Sequence, residues 1–493
     1  MAKGGSMTAV DVLEGQETLV NIGDPDRVLA ASARVLEIQT KLHRWAKDGP
    51  ARRFDDLFNL VVDPAFLIVA WDRVRNNKGA RTAGVDGFSA YYVEQVRGVG
   101  TFLADLREQV RSGEFRPLPV RERMIPKANG KRRALGIPTV RDRVVQAALK
   151  LVLEPIFEAD FLPCSYGFRP NRRAQDAVAE IHFLASRSYE WVLEGDIEAC
   201  FDRIDHIALM ARVRGRIGDK RVLALVKAFL KAGILTQDSG SKASNTGTPQ
   251  GGILSPLLAN IALSVLDEHV VQNGGAMLTV TDRARRKRHG LPNYRIIRYA
   301  DDFVVMIDGT RDDAEQIRRQ LADVLAPMGL RLSPEKTTVC HIDEGFEFLG
   351  WRIQRHLRRG QSERRFVYTY PSKKSVASVT SKVRDITRQT QNQPLGNVIA
   401  QLNALLRGWS MYFRHGASSR TFSYVGSFAW NRLVRWITRK HPRTGWRRMR
   451  RMFFPDWQIT DGERTLFNPE TIKIVRYRYR GADIPTPWEP RTA

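Results

Sequence analysis

The sequence predicts an α+β protein, and three stretches carry that prediction. Tyr294-Arg295-Ile296-Ile297-Arg298 and Phe303-Val304-Val305-Met306-Ile307 are rich in β-branched and aromatic residues and read as two strands. They flank a tight turn, Tyr299-Ala300-Asp301-Asp302. Trp191-Val192-Leu193-Glu194-Gly195 reads as a separate strand that runs into Asp196. Met124-Ile125-Pro126-Lys127 and Arg132 to Pro138 frame a second hairpin around Ala128-Asn129-Gly130-Lys131. Elsewhere apolar residues recur at helical spacing, and beyond Pro371 the chain turns basic and aromatic.

Composition narrows the partners. A chain of 493 residues that is 43% hydrophobic has room for about three domains with real cores. Its formal net charge of +26 points to a polyanion. Anionic membrane is the competing partner. No apolar run reaches the roughly 18 residues of a spanning helix, and the N-terminus lacks the apolar segment of a signal peptide. Nucleic acid is therefore the expected partner, with no membrane. Cys164, Cys200 and Cys340 are scattered, with no Cys-x-x-Cys, and read as buried thiols of a reducing compartment, the bacterial cytoplasm or nucleoid. The nine histidines show no metal-binding spacing.

Residues 1–50 carry little pattern: Gly4-Gly5-Ser6 is flexible, and Arg27 to Trp45 has the spacing of an amphipathic helix. From Phe54 to Trp71, Leu57, Leu60, Val61, Phe66, Leu67 and Val69 predict helices interrupted at Pro64. The basic, glycine-rich loop Asn76 to Gly87 suits phosphate but lacks the Gly-Lys-Ser/Thr ending of a P-loop. The 124–138 hairpin sets Lys127 and Arg133 at one end. Cations so placed suit the phosphates of a nucleotide, and a basic edge hairpin charged against aggregation fits equally well. Residues 141–190 read as two helices broken between Pro163 and Pro170, and Asp219 to Lys231 as another. Gly247-Thr248-Pro249-Gln250-Gly251-Gly252 permits close backbone approach to a ligand, with Gln250 able to donate to a base or sugar. Ser255 as N-cap and Pro256 in the first turn open a helix through Val265, burying Leu257, Leu258 and Ile261.

The chemistry concentrates at the turn. Alternation along an extended chain lets one of two adjacent aspartates point fully inward, taken here as Asp301. Paired carboxylates are common in solvated loops; buried at a turn tip they need a cation, and oxygen-only ligands favour Mg²⁺. Asp196 at the end of another strand supplies the second half of a site for two metals about 4 Å apart, the arrangement used in phosphoryl transfer.

Asp196 to Phe201, Thr248 to Gly252, Tyr299 to Asp302 and Phe348-Leu349-Gly350-Trp351 together resemble the ordered blocks of reverse transcriptases, and more narrowly those encoded by group II introns. Ile125 to Pro138 and Tyr166-Gly167-Phe168-Arg169-Pro170 resemble that family too, and the likeness runs from about Phe54 to Arg480. It implies a right-hand polymerase: residues 54–150 as fingers after an N-terminal extension (1–53), 151–370 as palm, 371–470 as a helical thumb/maturase domain and 471–493 as a short basic tail. It also implies Asp196, Asp301 and Asp302 as metal-site aspartates, joined by the Ile197 carbonyl, with two Mg²⁺ ions and dNTP substrates. Lys127 and Arg133 match the triphosphate-contacting cations, Gln250 the nucleotide-pocket glutamine, and Phe201 the ring that excludes a 2′-hydroxyl. Lys336 in Leu332-Ser333-Pro334-Glu335-Lys336-Thr337 is placed to protonate pyrophosphate, although a helix cap at Ser333 explains that stretch nearly as well. Phe348 to Trp351 matches the primer grip.

In the basic region, Arg407, Arg414, Arg447, Arg448, Arg450 and Arg451 interleave with Trp409, Tyr412, Phe413 and Trp446. The aromatics read mostly as core and the arginines as RNA contacts. Ile472 to Arg480 resembles the start of a DNA-binding region. Many of these proteins continue into a Cys/His-rich nuclease domain, and the chain reaches Ala493 without one. The expectation is thus a protein that inserts its intron into one DNA strand and takes its primer from elsewhere. The expected activity is RNA-directed DNA synthesis on intron RNA, with splicing support and with target DNA and a primer–template duplex as further partners. A domesticated reverse transcriptase, or a non-enzymatic RNA-binding splicing factor, are the alternatives; the intact aspartates weigh against the second.

Overall fold

The computed structural model of the protein describes residues 25–126, 130, 132–236, 240–242, 247, 251–357, 365–388, 392–481 and 484–489. Gly4 to Ser6, Lys127 to Asn129, Lys131, and Thr248 to Gln250, all named above, lie outside them.

The N-terminal part is a helix cluster carrying one hairpin. α1 (Pro25–Asp48), α2 (Pro64–Asn76) and α3 (Val99–Arg111) precede β1 (Val120–Pro126) and β2 (Arg132–Ile137), and α4 (Val140–Glu158) follows. α2 begins where expected: Pro64 fills the first turn and the Asp63 carboxylate accepts the Ala65 amide (2.8 Å). α4 is buried on nearly every face and packs against α1 and α2. It also contains Pro155, which has no N–H to offer the Leu151 carbonyl one turn earlier. Gln39 on α1 supplies the missing donor, its Nε2 reaching that carbonyl at 2.6 Å, while His43 bonds the Pro155 carbonyl (2.9 Å).

α5 (Ala174–Ala185) leads to β3 (Trp191–Gly195). The short α6 (Cys200–Arg203), then α7 (His206–Arg216) and α8 (Lys220–Lys231), lead to β4 (Ile234–Thr236) and β5 (Gly240–Lys242). These last strands extend the hairpin into a sheet ordered β2-β1-β4-β5. After α9 (Ser255–Asn273) and α10 (Val280–Arg288) come β6 (Asn293–Tyr299), β7 (Asp302–Asp308), α11 (Arg311–Leu325) and β8 (Thr338–His341). β6-β7-β3-β8 is an antiparallel central sheet. Both faces are covered: Phe303, Val305 and Ile307 belong to one core with α9 and α11, and Val304 and Met306 to another with α5. That explains why β7 is an unbroken apolar run rather than an alternating one.

β9 (Phe346–Phe348), β10 (Trp351–Leu357) and β11 (Arg365–Pro371) make a third sheet. α12 (Lys373–Arg388), α13 (Leu395–Phe413), α14 (Ser419–Lys440) and α15 (Trp446–Phe453) then close around Val383, Leu402, Leu433 and Trp436.

Three local expectations change. Leu254, not Ser255, occupies the cap of α9, with no side-chain capping bond, and the helix runs on to Asn273 because Asp267, though charged, is buried and paired. Ser333 caps no helix; its carbonyl accepts the Thr337 amide (2.9 Å) in a turn. Cys200 is buried as expected, whereas Cys164 and Cys340 are only partly so. The basic tail lies along α5. There Tyr477 donates to Asp176 (2.9 Å), Tyr479 to Glu180 (3.1 Å) and Arg480 to Asp176 (2.7 Å). Farther on, Trp488 Nε1 donates to the Gln39 Oε1 (3.2 Å).

Gln39→Ala leaves the Leu151 carbonyl buried without a donor, so denaturant titration should show a loss of about 1–3 kcal/mol. Adding Pro155→Ala restores an amide to that carbonyl and should recover much of the loss. No recovery in the double variant would show that the carbonyl is not the source.

Candidate active site

The register of the central sheet brings the carboxylates together. Gly195 pairs with Phe303 across β3 and β7, so one step beyond that pair lie Asp196 and Asp302 on neighbouring strands. Only glycine fits at 195, since a Cβ there would lie 2.1 Å from the Phe303 ring. Tyr299 pairs with Asp302, which leaves Ala300 and Asp301 as a two-residue loop. Such loops need a positive φ at a central position, and Ala300 adopts φ +60°. For a residue with a Cβ this costs about 1–2 kcal/mol.

A buried polar network holds the turn in that shape. The Arg298 guanidinium, fully buried, pairs with the equally buried Asp267 on α9 (2.6 Å). Its remaining N–H groups donate to Asn260 Oδ1 (2.9 Å), Ser165 Oγ (2.8 Å) and the Ala300 carbonyl (3.0 Å). Asn260 in turn donates to the Gly167 carbonyl (2.8 Å). Gly167 lies directly against the turn, where a Cβ would come 2.2 Å from the Ala300 nitrogen. Arg298 and Asp267 were not singled out from the sequence. The available signal was a charge following apolar residues in each of two elements, Ile297 before Arg298 and Leu266 before Asp267, where burial demands a partner.

Electrostatically the site is unbalanced. Although Asp302 reaches solvent, its pKa is pushed up to about 6, first by desolvation among the surrounding atoms, then by the charges of Asp301 and Asp196. Lys336 opposes that shift, and its Nζ pairs with Asp196 at 2.8 Å. The hydrogen bond to Asp196 in turn raises the Lys336 pKa, with both Asp301 and Asp302 contributing. Alternation, the ground for preferring Asp301 over Asp302, applies along a strand; Asp301 lies in the turn, and both charges act on Lys336. Ile197 forms an isolated bridge with Leu332 whose two hydrogen bonds come from the flanking residues, Glu198 to Arg331 (3.0 Å) and Ser333 to Asp196 (2.8 Å). The Ile197 carbonyl stays outside that pairing.

Among the described residues no three His, Cys, Asp or Glu side chains converge tightly enough to hold an ion. The donor chemistry nevertheless suits a hard divalent cation: the group is oxygen-only, and Asp302 experiences a repulsion that added positive charge would relieve.

Around the carboxylates, Phe201 on α6 is buried and sits edge-on to Phe168 at 6.4 Å. The glycine-rich loop begins against α6, where a Cβ on Gly247 would come 2.7 Å from the Asp202 carbonyl. It ends against β2, where a Cβ on Gly251 would come 2.4 Å from the Gly136 carbonyl. Arg133 is exposed on β2 opposite Ile125.

Two family models match the chain. Reverse transcriptase (RNA-dependent DNA polymerase) covers residues 125–353, which include all three aspartates, and the group II intron maturase-specific domain covers 376–453. Protein YkfC of Escherichia coli (strain K12) is 38% identical over 370 residues, 70% of this chain and 96% of that protein. The chain belongs to the group II intron reverse transcriptase/maturase family. Group II intron-encoded protein LtrA of Lactococcus lactis subsp. cremoris is 33% identical over 372 residues, and the match covers 65% of this chain and 60% of LtrA. Nuclear intron maturase 1, mitochondrial, of Arabidopsis thaliana is 25% identical over 297 residues, 45% of this chain and 41% of that protein.

In this reverse transcriptase/maturase the Phe348–Trp351 turn is fastened by the C-terminal helices. Leu349 and Gly350 both have positive φ, at +50° and +79°. Tyr412 on α13 donates to the Leu349 carbonyl (2.8 Å) and Ser375 on α12 to the Gly350 carbonyl (2.8 Å), while Phe348 and Trp351 are buried. The arginines divide. Arg447, Arg448, Arg450 and Arg451 are exposed on α15, with Arg450 over the Trp457 ring (4.6 Å). Arg407 lies over Phe467 (4.5 Å), and Arg414 is half-buried.

A raised carboxylate pKa means that the folded state disfavours the charged form, so the associated stability is present at low pH and lost as pH rises through about 6. In EDTA at pH 8, Asp302→Asn should therefore melt above the wild type, the gap closing below pH 4. Mg²⁺ should raise the wild-type Tm more than that of the variant. A wild type that melts higher in EDTA at pH 8 would contradict the repulsion.

Proposed function

We propose that the protein copies RNA into DNA at the end of the central sheet, with Asp196, Asp301 and Asp302 as the metal-binding carboxylates. The observation that carries this reading is the register that sets Asp196 and Asp302 on adjacent strand ends, with Asp301 in the turn between β6 and β7. On it, residues 54–150 are the fingers, 151–370 the palm, 371–470 the thumb/maturase domain and 471–493 the tail.

The reaction joins a primer 3′-hydroxyl to the α-phosphate of a dNTP and releases pyrophosphate. Asp196, Asp301, Asp302 and the Ile197 carbonyl would hold Mg²⁺. When bound, Mg²⁺ neutralises phosphate charge and eases deprotonation of the attacking hydroxyl. The protein's own contribution is positional. Phe201 sits under the sugar and leaves no space for a 2′-hydroxyl, and Arg133 with Lys127 faces the triphosphate. Gln250 contacts the nucleotide. Lys336, whose pKa is raised beside Asp196, keeps a proton on Nζ that it can deliver to the departing pyrophosphate. The turn at Phe348 to Trp351 steadies the primer end. Intron RNA lies along the arginines of α15, with Arg407 on α13 and Arg414 just past its end as further contacts, and binding there supports splicing.

Asp301→Asn should lower primer extension at least a hundredfold while RNA affinity stays within twofold, measured by steady-state extension and filter binding. Extension near the wild-type rate would remove Asp301 from the site. Phe201→Val should raise the ratio of ribonucleotide to deoxynucleotide incorporation. A ratio that does not move would assign the ring to packing alone.

A further inference from the structure

Two acids on α5, Asp176 and Glu180, stand one helical turn apart and so share a face. The tail runs over that face, and the two acids treat it differently. Asp176 accepts from Tyr477 (2.9 Å) and Arg480 (2.7 Å), which fastens the segment. Upstream, the Val475 amide donates to the Arg414 carbonyl (3.0 Å) and adds a second point of attachment. Glu180 is instead a junction. Its buried carboxyl accepts from Tyr479 of the tail on Oε1 (3.1 Å) and from Tyr166 on Oε2 (2.6 Å). Burial pushes the Glu180 pKa up, against the two hydroxyls and the charges of Arg172 and Arg295.

Tyr166 carries the path inward. It is buried, and its amide donates to the Arg298 carbonyl (2.8 Å). The next residue, Gly167, is held by Asn260 (2.8 Å) and lies against the turn, where a Cβ would come 2.2 Å from the Ala300 nitrogen. The contacts therefore run from Tyr479 through Glu180 and Tyr166 to the backbone that supports Ala300 and Asp301. At the outer end, the Tyr479 ring packs on Phe183 (4.7 Å), so its hydroxyl is delivered by a seated side chain. Without that hydroxyl, Oε1 of Glu180 is left buried and short of a donor. The carboxyl can then turn toward Tyr166 or admit water, and either change moves the Tyr166 side chain. In a close-packed interior such a displacement reaches the neighbouring backbone.

We propose that Tyr479 is a positioning residue of the copying site: by holding Glu180 and Tyr166, it lets the Ala300–Asp301 turn keep its shape only while the tail is docked on α5. The inference rests on the proposed role of that turn in copying. The task is intramolecular and needs no ligand on the tail.

The test uses the full chain carrying Tyr479→Phe, which keeps the ring on Phe183 and removes one oxygen. In steady-state primer extension the variant should lower kcat about fivefold, while the KM for dNTP and the RNA affinity stay within about twofold. Hydrogen exchange should quicken in peptides covering residues 164–167 and 298–302 and stay unchanged in α14. In a Glu180→Gln background the same change should cost less than about twofold in kcat, because the path it acts through is already altered. A tyrosine that merely fastens the tail would quicken exchange in the tail and α5 alone. Either an unchanged kcat or unchanged exchange at 298–302 would overturn the proposal. If the wild type extends no primer, the reading of the copying site fails, and exchange at 298–302 alone decides whether the tail reaches the turn.

Discussion

The geometry of the carboxylate end depends on one buried ion pair, Arg298 with Asp267. Both side chains are at 0% exposure. Desolvating each charge costs several kcal/mol, and a pair of this kind contributes little net stability against an apolar substitute. What it contributes here is position. With both Asp267 oxygens engaged and its other donors spent on Asn260, Ser165 and the Ala300 carbonyl, Arg298 has one arrangement open to it. That arrangement fixes a turn whose Ala300 would otherwise relax out of positive φ. The backbone follows the same path: Arg298 donates to the Cys164 carbonyl and accepts from Tyr166, which brings Gly167 flush against the turn.

The network beneath is neutral and satisfied, while the group it presents is not. Asp196, Asp301 and Asp302 carry three negative charges against the single ammonium of Lys336, and Asp302 bears the repulsion in its raised pKa. A folded protein that keeps like charges this close, over a scaffold so completely paired, stores electrostatic energy that a cationic ligand releases on binding. The contrast between a satisfied support and an unsatisfied rim is the physical mark of a functional end rather than a structural one.

Much of this was legible in the sequence, because the relevant signals were local. The strand–turn–strand pattern around Ala300, the strand into Asp196 and the break at Pro64 all follow from short-range propensity and turn chemistry, and the elements fall within a residue or two of expectation. The cap of α9 was placed one residue late, since Ser-Pro reads as cap and first turn when both residues in fact lie inside the helix. Arg298 and Asp267 were missed for a different reason: their meaning lies in a contact 31 residues apart, and neither reads as more than a charge until the elements pack. Where the tail docks was not legible either: Tyr477, Tyr479 and Arg480 find Asp176 and Glu180 on α5, acids with no pattern of their own.

The C-terminal helices act on the same end of the molecule through a second strained turn. Leu349 and Gly350 both sit at positive φ, and their carbonyls are held by Tyr412 and Ser375 from α13 and α12. Gly350 has no alternative, because a Cβ would fall 2.7 Å from the Ser375 oxygen. Trp351 beneath the turn packs on Phe413 at 4.7 Å, and Gly416 lies so close to its ring that a Cβ would come within 2.3 Å. Any shift of α13 therefore carries the Leu349 carbonyl and the indole with it, and any shift of α12 the Gly350 carbonyl. Since the maturase-specific region begins inside α12, that segment is mechanically tied to the Phe348–Trp351 turn. On the proposed function, RNA bound along the helical unit and a primer held at that turn would share one rigid support.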